Sequence, residues 1–445
     1  MNNSDKNQTI YSLSSGGGMA GVAVIRVSGA NARDCISAMC RQAVKPRLTN
    51  LRKIYHPDSG LLLDECLVLW FPAPGTFTGE DVVEFQIHGG RATIAAVLAA
   101  LSKIADFRQA EAGEFTRRAF INGRLDLVEI EGLGDLIHAQ TEAQRLQALN
   151  QSAGAASDVF NRWRGELISV LGYLEASIDF MEEDDVSDYA LKGFRDKLIH
   201  LRNDMEKHLG ESARGEIIRD GVRVVLAGEP NVGKSSILNY LARRDVAIVS
   251  AIPGTTRDIL EVQLDLDGIP VTVSDTAGLR HNTKDEIEQV GIARTKLAGS
   301  QADLVIWVSV AGMADQADSG DLLTSDAERI HVVNKIDLQH SNAFDSLGVS
   351  AKTGAGMDEL IELISKKVAD KFGGREPALI SRERQRFALA ACVEHLDGAL
   401  AEEGESLELT AEQLRLAANQ LGRLVGRIDV EDLLDVIFRD FCVGK

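Results

Sequence analysis

The chain has 445 residues, of which 44% are hydrophobic and 26% charged, so it is long enough for about three globular domains. Its 48 basic and 67 acidic residues leave a net charge of −19, which excludes a protein that coats nucleic acid non-specifically, since such binding depends on neutralising phosphates. The first residues carry no basic and then apolar signal, and no apolar run is long enough to span a bilayer, so we expect a cytoplasmic protein that makes no membrane contact.

Residues 1–119 predict an α+β domain. Apolar runs predict strands at Ile10–Leu13, Val22–Val27 and Leu67–Phe71, and a run with interspersed polar residues predicts another at Asp81–His88. Residues 41–53 hold five basic residues and no acid, a pattern that fits either a local RNA contact or a solvated loop. The five cysteines, at 35, 40, 66, 392 and 442, lack metal-ligand spacing and are expected to be reduced.

Two helical segments flank the middle of the chain. Apolar residues keep helical spacing from Leu167 to Ile178 and again from Leu389 to Leu400. Neither segment looks complete alone, so we predict one helical domain built from residues 120–213 and 377–445, with a further domain inserted at 214–376. Two small, separate helical domains are the alternative.

The inserted domain is predicted to be an α/β P-loop domain. Apolar runs predict strands at Val222–Ala227, Val271–Ser274, Leu304–Val310 and His331–Val333. Three of these strands lead into polar motifs, namely Gly-Glu-Pro-Asn-Val-Gly-Lys-Ser at 228–235, Asp-Thr-Ala-Gly at 275–278 and Asn-Lys-Ile-Asp at 334–337; Ser-Ala-Lys at 350–352 comes later. Open α/β sheets bind ligands at the carboxyl ends of their strands, so these motifs should meet at one site.

The motifs together predict a GTP site. The P-loop backbone and Lys234 neutralise phosphate oxygens, and Ser235 can ligate Mg²⁺. The Asp337 carboxylate can accept hydrogen bonds from the N1–H and the 2-amino group of guanine, neither of which adenine offers in that form. Adenine would leave this carboxylate unpaired, and a buried polar group left unpaired in this way can favour GTP over ATP by about 10⁴-fold.

Hydrolysis must differ from that of Ras-type enzymes, because residue 279 is Leu where they carry the Gln that orients water. Glu286 and Glu288 follow in a polar segment that could reach the γ-phosphate. Asn231 could either give its side-chain oxygen to a monovalent cation or serve as a turn residue of the P-loop. A K⁺ ion there would supply charge where an arginine finger otherwise does, a role worth about 10³–10⁵ in rate.

These motifs, with Pro-Gly-Thr-Thr-Arg-Asp at 253–258, Phe-Thr-Gly-Glu-Asp at 77–81 and Cys-Val-Gly-Lys at 442–445, resemble the MnmE (TrmE) family of tRNA modification GTPases. The resemblance covers essentially the whole chain. It implies an N-terminal tetrahydrofolate-binding domain (1–119), a discontinuous helical domain (120–213 and 377–445) and an inserted Ras-like P-loop GTPase domain (214–376).

The resemblance also implies site residues. GTP would be bound by residues of five segments: Asn231, Val232, Gly233, Lys234, Ser235 and Ser236; Ser250, Ala251, Ile252, Pro253, Gly254, Thr255 and Thr256; Asp275, Thr276, Ala277 and Gly278; Asn334, Lys335, Ile336 and Asp337; and Ser350, Ala351 and Lys352. Ser235 and Thr256 would ligate Mg²⁺. K⁺ would be held by Asn231, Ser250, Ile252 and Thr255. The Glu-x-x-Gly-Ile pattern selects Glu288 over Glu286 as the catalytic carboxylate.

The folate contacts implied by the resemblance are Arg26, Glu84, Arg124 and Lys445, with Arg at 124 where the family usually has Lys. Cys442 is either a reactive catalytic group near the folate or a packed residue at a helix end, and the resemblance favours a role in function. Its chemical role is not readable from the sequence.

The family works as a homodimer and, with the FAD-dependent MnmG protein in a heterotetramer, adds an aminomethyl or carboxymethylaminomethyl group to C5 of the wobble uridine of certain tRNAs. The one-carbon unit comes from the tetrahydrofolate, and K⁺ stimulates both G-domain dimerisation and hydrolysis. The alternative function is an Era-like GTPase that switches RNA or ribosome assembly. Such a factor would be expected to carry a basic RNA-binding module after its G domain, whereas this chain returns to an acidic helical segment.

Overall fold

The computed structural model describes residues 8–16, 18–179, 188–244, 246–248, 261–275, 302–310, 327–338, 346–372, 377–402, 406–428, 437, 441 and 444. The chain divides into two compact units. The first comprises residues 1–134, 151–179 and 414–445, and the second comprises residues 135–150 and 180–413.

The first unit is built on a six-stranded sheet in the order β3-β4-β5-β2-β1-β6. Neighbouring strands are antiparallel except for β1 and β6, which are parallel. The strands are β1 (Thr9–Leu13), β2 (Ala20–Ser28), β3 (Asn50–Tyr55), β4 (Leu62–Phe71), β5 (Val82–Gly89) and β6 (Phe107–Gln109). Helices α1 (Asp34–Met39), α2 (Arg91–Leu101) and α3 (Glu114–Ile121) accompany them.

Alternation along the central strands fixes which side chains enter the core. Ile25 and Val27 of β2 are fully buried with Phe85 of β5, while Arg26 and Glu84 between them point to the opposite face. All four strands predicted in residues 1–119 are confirmed, with Asp81–His88 observed as Val82–Gly89. The prediction missed β3, since Asn-Leu-Arg-Lys-Ile-Tyr offers only a short apolar alternation.

The second unit contains another six-stranded sheet, in the order β12-β11-β10-β7-β9-β8. All neighbouring pairs are parallel except β8 and β9. The strands are β7 (Val222–Ala227), β8 (Glu261–Leu266), β9 (Ile269–Asp275), β10 (Leu304–Val310), β11 (Glu328–Asn334) and β12 (Leu347–Gly348). The four strands predicted for the inserted domain are therefore confirmed.

Helices make up the rest of the described fold. They are α4 (Leu127–His138), α5 (Glu142–Ser152), α6 (Ala155–Asp179), α7 (Asp188–Gly210), α8 (Ser212–Asp220), α9 (Lys234–Leu241), α10 (Met357–Phe372), α11 (Glu383–Glu402) and α12 (Leu407–Leu424). Both predicted helical patterns are confirmed, the first in α6 and the second in α11.

Helices from the two predicted helical segments pack together within each unit. In the second unit α7 lies against α11, where Arg202 Nε donates to Asp397 Oδ1 at 2.9 Å. In the first unit Arg415 Nη2 of α12 donates to Glu175 Oε1 of α6 at 2.8 Å. This interleaving favours a single discontinuous helical domain, although the domain boundaries stay a prediction.

Among the described residues no helix is long and apolar enough to cross a membrane. The described cysteines are free, and Cys35, Cys66 and Cys392 are buried while Cys40 is half-buried. Burial raises the pKa of Cys40 to about 11 and those of Cys66 and Cys392 to about 12. Burial therefore keeps these thiols protonated at neutral pH.

Candidate functional site

Three motifs meet at the carboxyl edge of the second sheet. Strand β7 ends at Ala227 and leads through residues 228–233 into α9, while β9 ends at Asp275 and β11 ends at Asn334. Gly228, at φ 138°, lies so close to β10 that a Cβ there would be 2.2 Å from the carbonyl oxygen of Val308. Only glycine lets the loop leave β7 at this point.

The loop at 228–233 is closed around the ammonium group of Lys234. This side chain is buried, and Nζ donates to the carbonyl oxygens of Gly228 at 2.8 Å and Glu229 at 2.9 Å. Gly233 precedes α9 in the left-handed conformation, which turns the first amide groups of the helix toward the loop. Backbone amides together with an ammonium group at a helix N-terminus form an anion site suited to phosphates.

Ser235 and Asp275 come together beside this anion site. Ser235 Oγ donates to Asp275 Oδ2 at 2.5 Å, and Asp275 is buried at the end of β9. Hydroxyl and carboxylate oxygens are the ligands that Mg²⁺ prefers, and this ion is usually shared with substrate phosphates. The pair therefore fits Mg²⁺. Thr256, the other predicted ligand, lies outside the described residues.

Asn334 links the P-loop to the predicted base-recognition segments. Its side chain is buried, and Nδ2 donates to the carbonyl oxygen of Val232 at 2.9 Å. Its Oδ1 accepts from the amides of Lys335 at 2.8 Å and Ala351 at 3.3 Å. One amide side chain thus fixes the spacing between the phosphate end and the base end of the site.

Asp337 and Ser350 form the base end. The buried Ser350 hydroxyl donates to Asp337 Oδ1 at 2.7 Å, whereas Asp337 itself is exposed. This hydrogen bond orients the carboxylate and leaves Oδ2 open to a ligand. Ile336 and Asp337 lie on a short 3-10 helix that continues to Leu338, and Lys352 is exposed on the neighbouring turn.

Lys335 holds the P-loop from the other side. Its Nζ donates to the carbonyl oxygen of Asn231 at 2.7 Å, and both residues have left-handed backbones, at φ 64° and 65°. Non-glycine residues rarely adopt this conformation, so the contact stabilises an uncommon loop shape. Asn231 and Ser236 are exposed at the mouth of the loop.

Several predicted site residues lie outside the described part of the chain. They are Glu288 and Cys442; Ser250, Ala251, Ile252, Pro253, Gly254, Thr255 and Thr256; Thr276, Ala277 and Gly278; and Lys445. Of the predicted K⁺ ligands only Asn231 is described. No cluster of three or more His, Cys, Asp or Glu residues that could hold a metal occurs among the described residues.

Arg26 and Glu84 form the candidate folate site in the first unit. They are direct partners across β2 and β5, and Arg26 Nε donates to Glu84 Oε1 at 2.9 Å. The guanidinium lies 5.3 Å from the ring centre of Phe77 and 5.8 Å from that of Phe115. Phe115 is fully buried, whereas Phe77 is partly exposed, so a cation, an anion and the Phe77 ring could take a flat, polar heterocycle such as a pterin.

Arg124 is exposed after α3, and its Cγ would lie 3.2 Å from a Cβ at Gly79. It makes no described contact with Arg26 or Glu84, so the structure does not join these three predicted folate contacts directly. Gly79 belongs to the segment that also contains Phe77.

A largely buried network of ion pairs next to this site was not predicted from the sequence. Glu80 accepts from Arg118 Nη1 at 3.1 Å and from the Ser28 hydroxyl at 2.8 Å. Arg118 also donates to Glu114 Oε1 at 3.1 Å, and Arg108 binds the same carboxylate with both terminal nitrogens, at 2.6 and 2.7 Å. These ion pairs tie α3 to the segment that carries Phe77. The i,i+4 spacing of Glu114 and Arg118 could have indicated one pair, but no spacing indicates the pair of Arg118 with Glu80.

The far end of the sequence also reaches this sheet. Ser14 Oγ donates to the carbonyl oxygen of Gly444 at 2.7 Å. A Cβ at Gly444, whose φ is 107°, would lie 1.9 Å from the carbonyl oxygen of Leu13. The Ser14 amide in turn donates to Val24 of β2, two residues before Arg26. Residues 430 apart in sequence thus meet close to the Arg26 face.

Comparisons with known proteins match both units. The family description "GTP-binding protein TrmE N-terminus" matches residues 9–124, and "MnmE helical domain" matches residues 127–442. The tRNA modification GTPase MnmE of Parvibaculum lavamentivorans is 48% identical over 441 residues, covering 98% of this chain and 100% of that relative. The protein of the same name from Bradyrhizobium sp. (strain ORS 278) is 46% identical over 445 residues and covers 99% of both chains.

Among solved structures, the G domain of the T. maritima FeoB iron transporter covers 34% of this chain and 99% of its own length at 27% identity. The TM-score of that match is 0.24.

Proposed function

The chain belongs to the MnmE family of tRNA modification GTPases, and from that premise we propose that it binds and hydrolyses GTP in order to modify tRNA. The observation that carries the proposal is the convergence at one sheet edge of a Lys234 anion site, the Ser235 and Asp275 pair, and Asp337 oriented by Ser350. These groups suit phosphates, Mg²⁺ and a guanine edge respectively.

Selection for GTP rests on Asp337. Its carboxylate, held by the Ser350 hydroxyl at 2.7 Å, accepts the N1–H and 2-amino hydrogens of guanine. Ala351 supplies its amide to Asn334, which keeps the base end at a fixed distance from the P-loop. ATP would leave the carboxylate unpaired, and this is the source of discrimination.

Hydrolysis is assigned to residues around the phosphate end. Ser235, Asp275 and Thr256 would hold Mg²⁺, which neutralises phosphate charge when bound. Asn231 with Ser250, Ile252 and Thr255 would hold K⁺, and Lys335 supports the Asn231 backbone. Leu279 cannot orient water, so Glu288 takes that role in the proposal.

The first unit is assigned to one-carbon chemistry. Arg26, Glu84, Arg124 and Lys445 would bind a tetrahydrofolate, with Cys442 beside it. Support comes from the Arg26 and Glu84 pair beside the Phe77 ring, and from Gly444, which accepts from the Ser14 hydroxyl just after β1. The product would be an aminomethyl or carboxymethylaminomethyl group on C5 of a wobble uridine. The proposal further includes a cytoplasmic homodimer that works with the FAD-dependent MnmG protein.

Base selectivity tests the GTP assignment. Asp337→Asn should lower GTP turnover and raise the use of xanthosine triphosphate, because Asn can donate to the 2-oxo group that replaces the 2-amino group of guanine. Asp267→Asn is a matched control, since Asp267 lies on the turn between β8 and β9. Unchanged GTP selectivity in Asp337→Asn would contradict the assigned base site.

A further inference from the structure

One edge of the first sheet carries a cluster of positive charges. We call it the basic edge and define it by Arg41, Lys45, Arg47, Arg52 and Lys53, which lie on β3 or in the loop before it. No acidic residue occurs between positions 41 and 53, although the chain as a whole carries −19. The proposed function leaves this segment without a role.

The loop of the basic edge is exposed but firmly anchored. The Asn50 side chain accepts from the Lys45 amide at 3.1 Å and donates to the carbonyl oxygens of Lys45 at 3.1 Å and Leu48 at 2.6 Å. The Arg47 amide donates to the carbonyl oxygen of Trp70 at 2.8 Å. The backbone that carries Lys45 and Arg47 is therefore fixed in position by hydrogen bonds.

The arginines of the basic edge are bound by groups that carry no formal charge. Arg47 donates to Gly75 O at 2.8 Å and Arg52 to Ala43 O at 3.1 Å. The Arg41 guanidinium stacks 3.8 Å from the ring centre of Tyr55. None of the five cations forms an ion pair within the described part of the chain.

The nearest acid in the strand register is Glu65, which faces Lys53 across β3 and β4. The other four cations have no such partner. Preorganised arginines that keep spare donors are suited to phosphate oxygens, because the planar guanidinium matches their geometry.

We propose that the basic edge binds the phosphate backbone of the tRNA substrate. This inference rests on the proposed function, in which the substrate tRNA is a polyanion. The net charge of −19 repels polyanions, so tRNA must bind at a locally basic surface. Strand β3 stands three strands from β2, so the edge lies about 14 Å from the Arg26 site at the usual strand spacing. An RNA held there would approach that site by its backbone, which positions the substrate without reading its sequence.

The test substitutes two basic residues whose side chains make no described contact that supports the fold. The side chains of Lys45 and Lys53 make no hydrogen bond or ion pair with other described residues, so Lys45→Gln with Lys53→Gln should leave the fold intact. The matched control is Arg91→Gln with Lys103→Gln on α2 and the turn after it, which removes the same charge elsewhere in the first unit. Thermal unfolding followed by circular dichroism serves as the folding check for both double variants.

Fluorescence anisotropy with a transcribed tRNA that carries uridine at its wobble position, at stepped KCl concentrations, gives the readout. The basic-edge variant should bind about tenfold more weakly, and the slope of log affinity against log salt should fall by about 1.5–2 for two lost phosphate contacts. The control should retain both the affinity and the slope of the wild type.

Equal losses in the two double variants would overturn the inference, because they would show a general charge effect. Loss of binding to an acidic partner protein with unchanged tRNA affinity would also overturn it and assign the edge to that protein. If the wild type binds no tRNA at all, the tRNA part of the proposed function fails, which is distinguishable from failure of this surface alone.

Discussion

The amide group of Asn334 occupies the space that a side chain at Gly233 would need. A Cβ at Gly233 would lie 2.3 Å from Asn334 Nδ2, which meanwhile donates to the carbonyl oxygen of Val232 at 2.9 Å. The glycine before the P-loop lysine is thus required by the end of β11 as well as by its own φ of 99°.

Gly233→Ala should therefore weaken GTP binding at least about tenfold, because the new methyl group must displace Asn334 and the backbone must hold a strained φ that costs about 1–3 kcal/mol. Titration with a fluorescent GTP analogue measures the change. Gly210→Ala is the matched control, since nothing lies within 4 Å of a Cβ at that position. Equal affinities for Gly233→Ala and the wild type would contradict the close packing of Asn334 on the loop.

GTP hydrolysis should depend on K⁺. Replacing KCl by NaCl should reduce turnover strongly, because Leu279 removes the usual water-orienting Gln and Asn231 stands exposed at the mouth of the loop. Asn231→Ala should abolish the difference between the two salts while GTP binding is largely kept. Equal wild-type rates in both salts would rule out the cation site.

Glu114 should be a major source of stability in the first unit. Burial raises the pKa of its carboxyl group, but the hydrogen bonds and charges of Arg108 and Arg118 outweigh this effect, so the pKa lies below its usual 4.5. Glu114→Gln should lower the free energy of unfolding at pH 7 by about 3 kcal/mol, because the buried Arg118 and the partly exposed Arg108 lose their shared anionic partner.

The pH dependence follows from the lowered pKa. The stabilisation is fully present above the pKa of the unfolded chain, near 4.5, and is lost as the pH falls through the lower folded value. The difference between Glu114→Gln and wild type in urea denaturation should therefore shrink below pH 4.5. Glu142→Gln, which breaks the exposed pair with Arg145, should change little at any pH.

The sequence was sufficient to predict the strands that lead into the GTP motifs, because each is a short apolar run that stops at a glycine or at a polar residue such as Asp275 or Asn334. It was not sufficient for contacts that join distant segments. Arg118 is one example, since besides Glu114 on its own helix it binds Glu80, which lies 38 residues earlier in the sequence. Gly444 is a similar case, since its partner Ser14 lies 430 residues away in the sequence.

The close packing of Gly444 against Leu13, at the end of β1, should contribute to folate binding but not to GTP hydrolysis. Gly444→Ala should weaken binding of a reduced folate in calorimetry, because its Cβ would clash with Leu13. Gly16→Ala is the control, since nothing lies within 4 Å of its Cβ. Arg26→Ala should cost about 1.5–3 kcal/mol of binding free energy as a lost charge-assisted contact. Equal folate affinities for Gly444→Ala and Gly16→Ala would contradict a role of the chain end at this site.

Mass spectrometry of tRNA nucleosides tests the central claim most directly. Cells that lack the protein should lose the C5-modified wobble uridine, the wild-type gene should restore it, and Lys234→Ala should fail to do so because the phosphate site loses its buried ammonium group. An unchanged nucleoside profile in the cells that lack the protein would contradict the assignment of this chain as a tRNA-modifying GTPase.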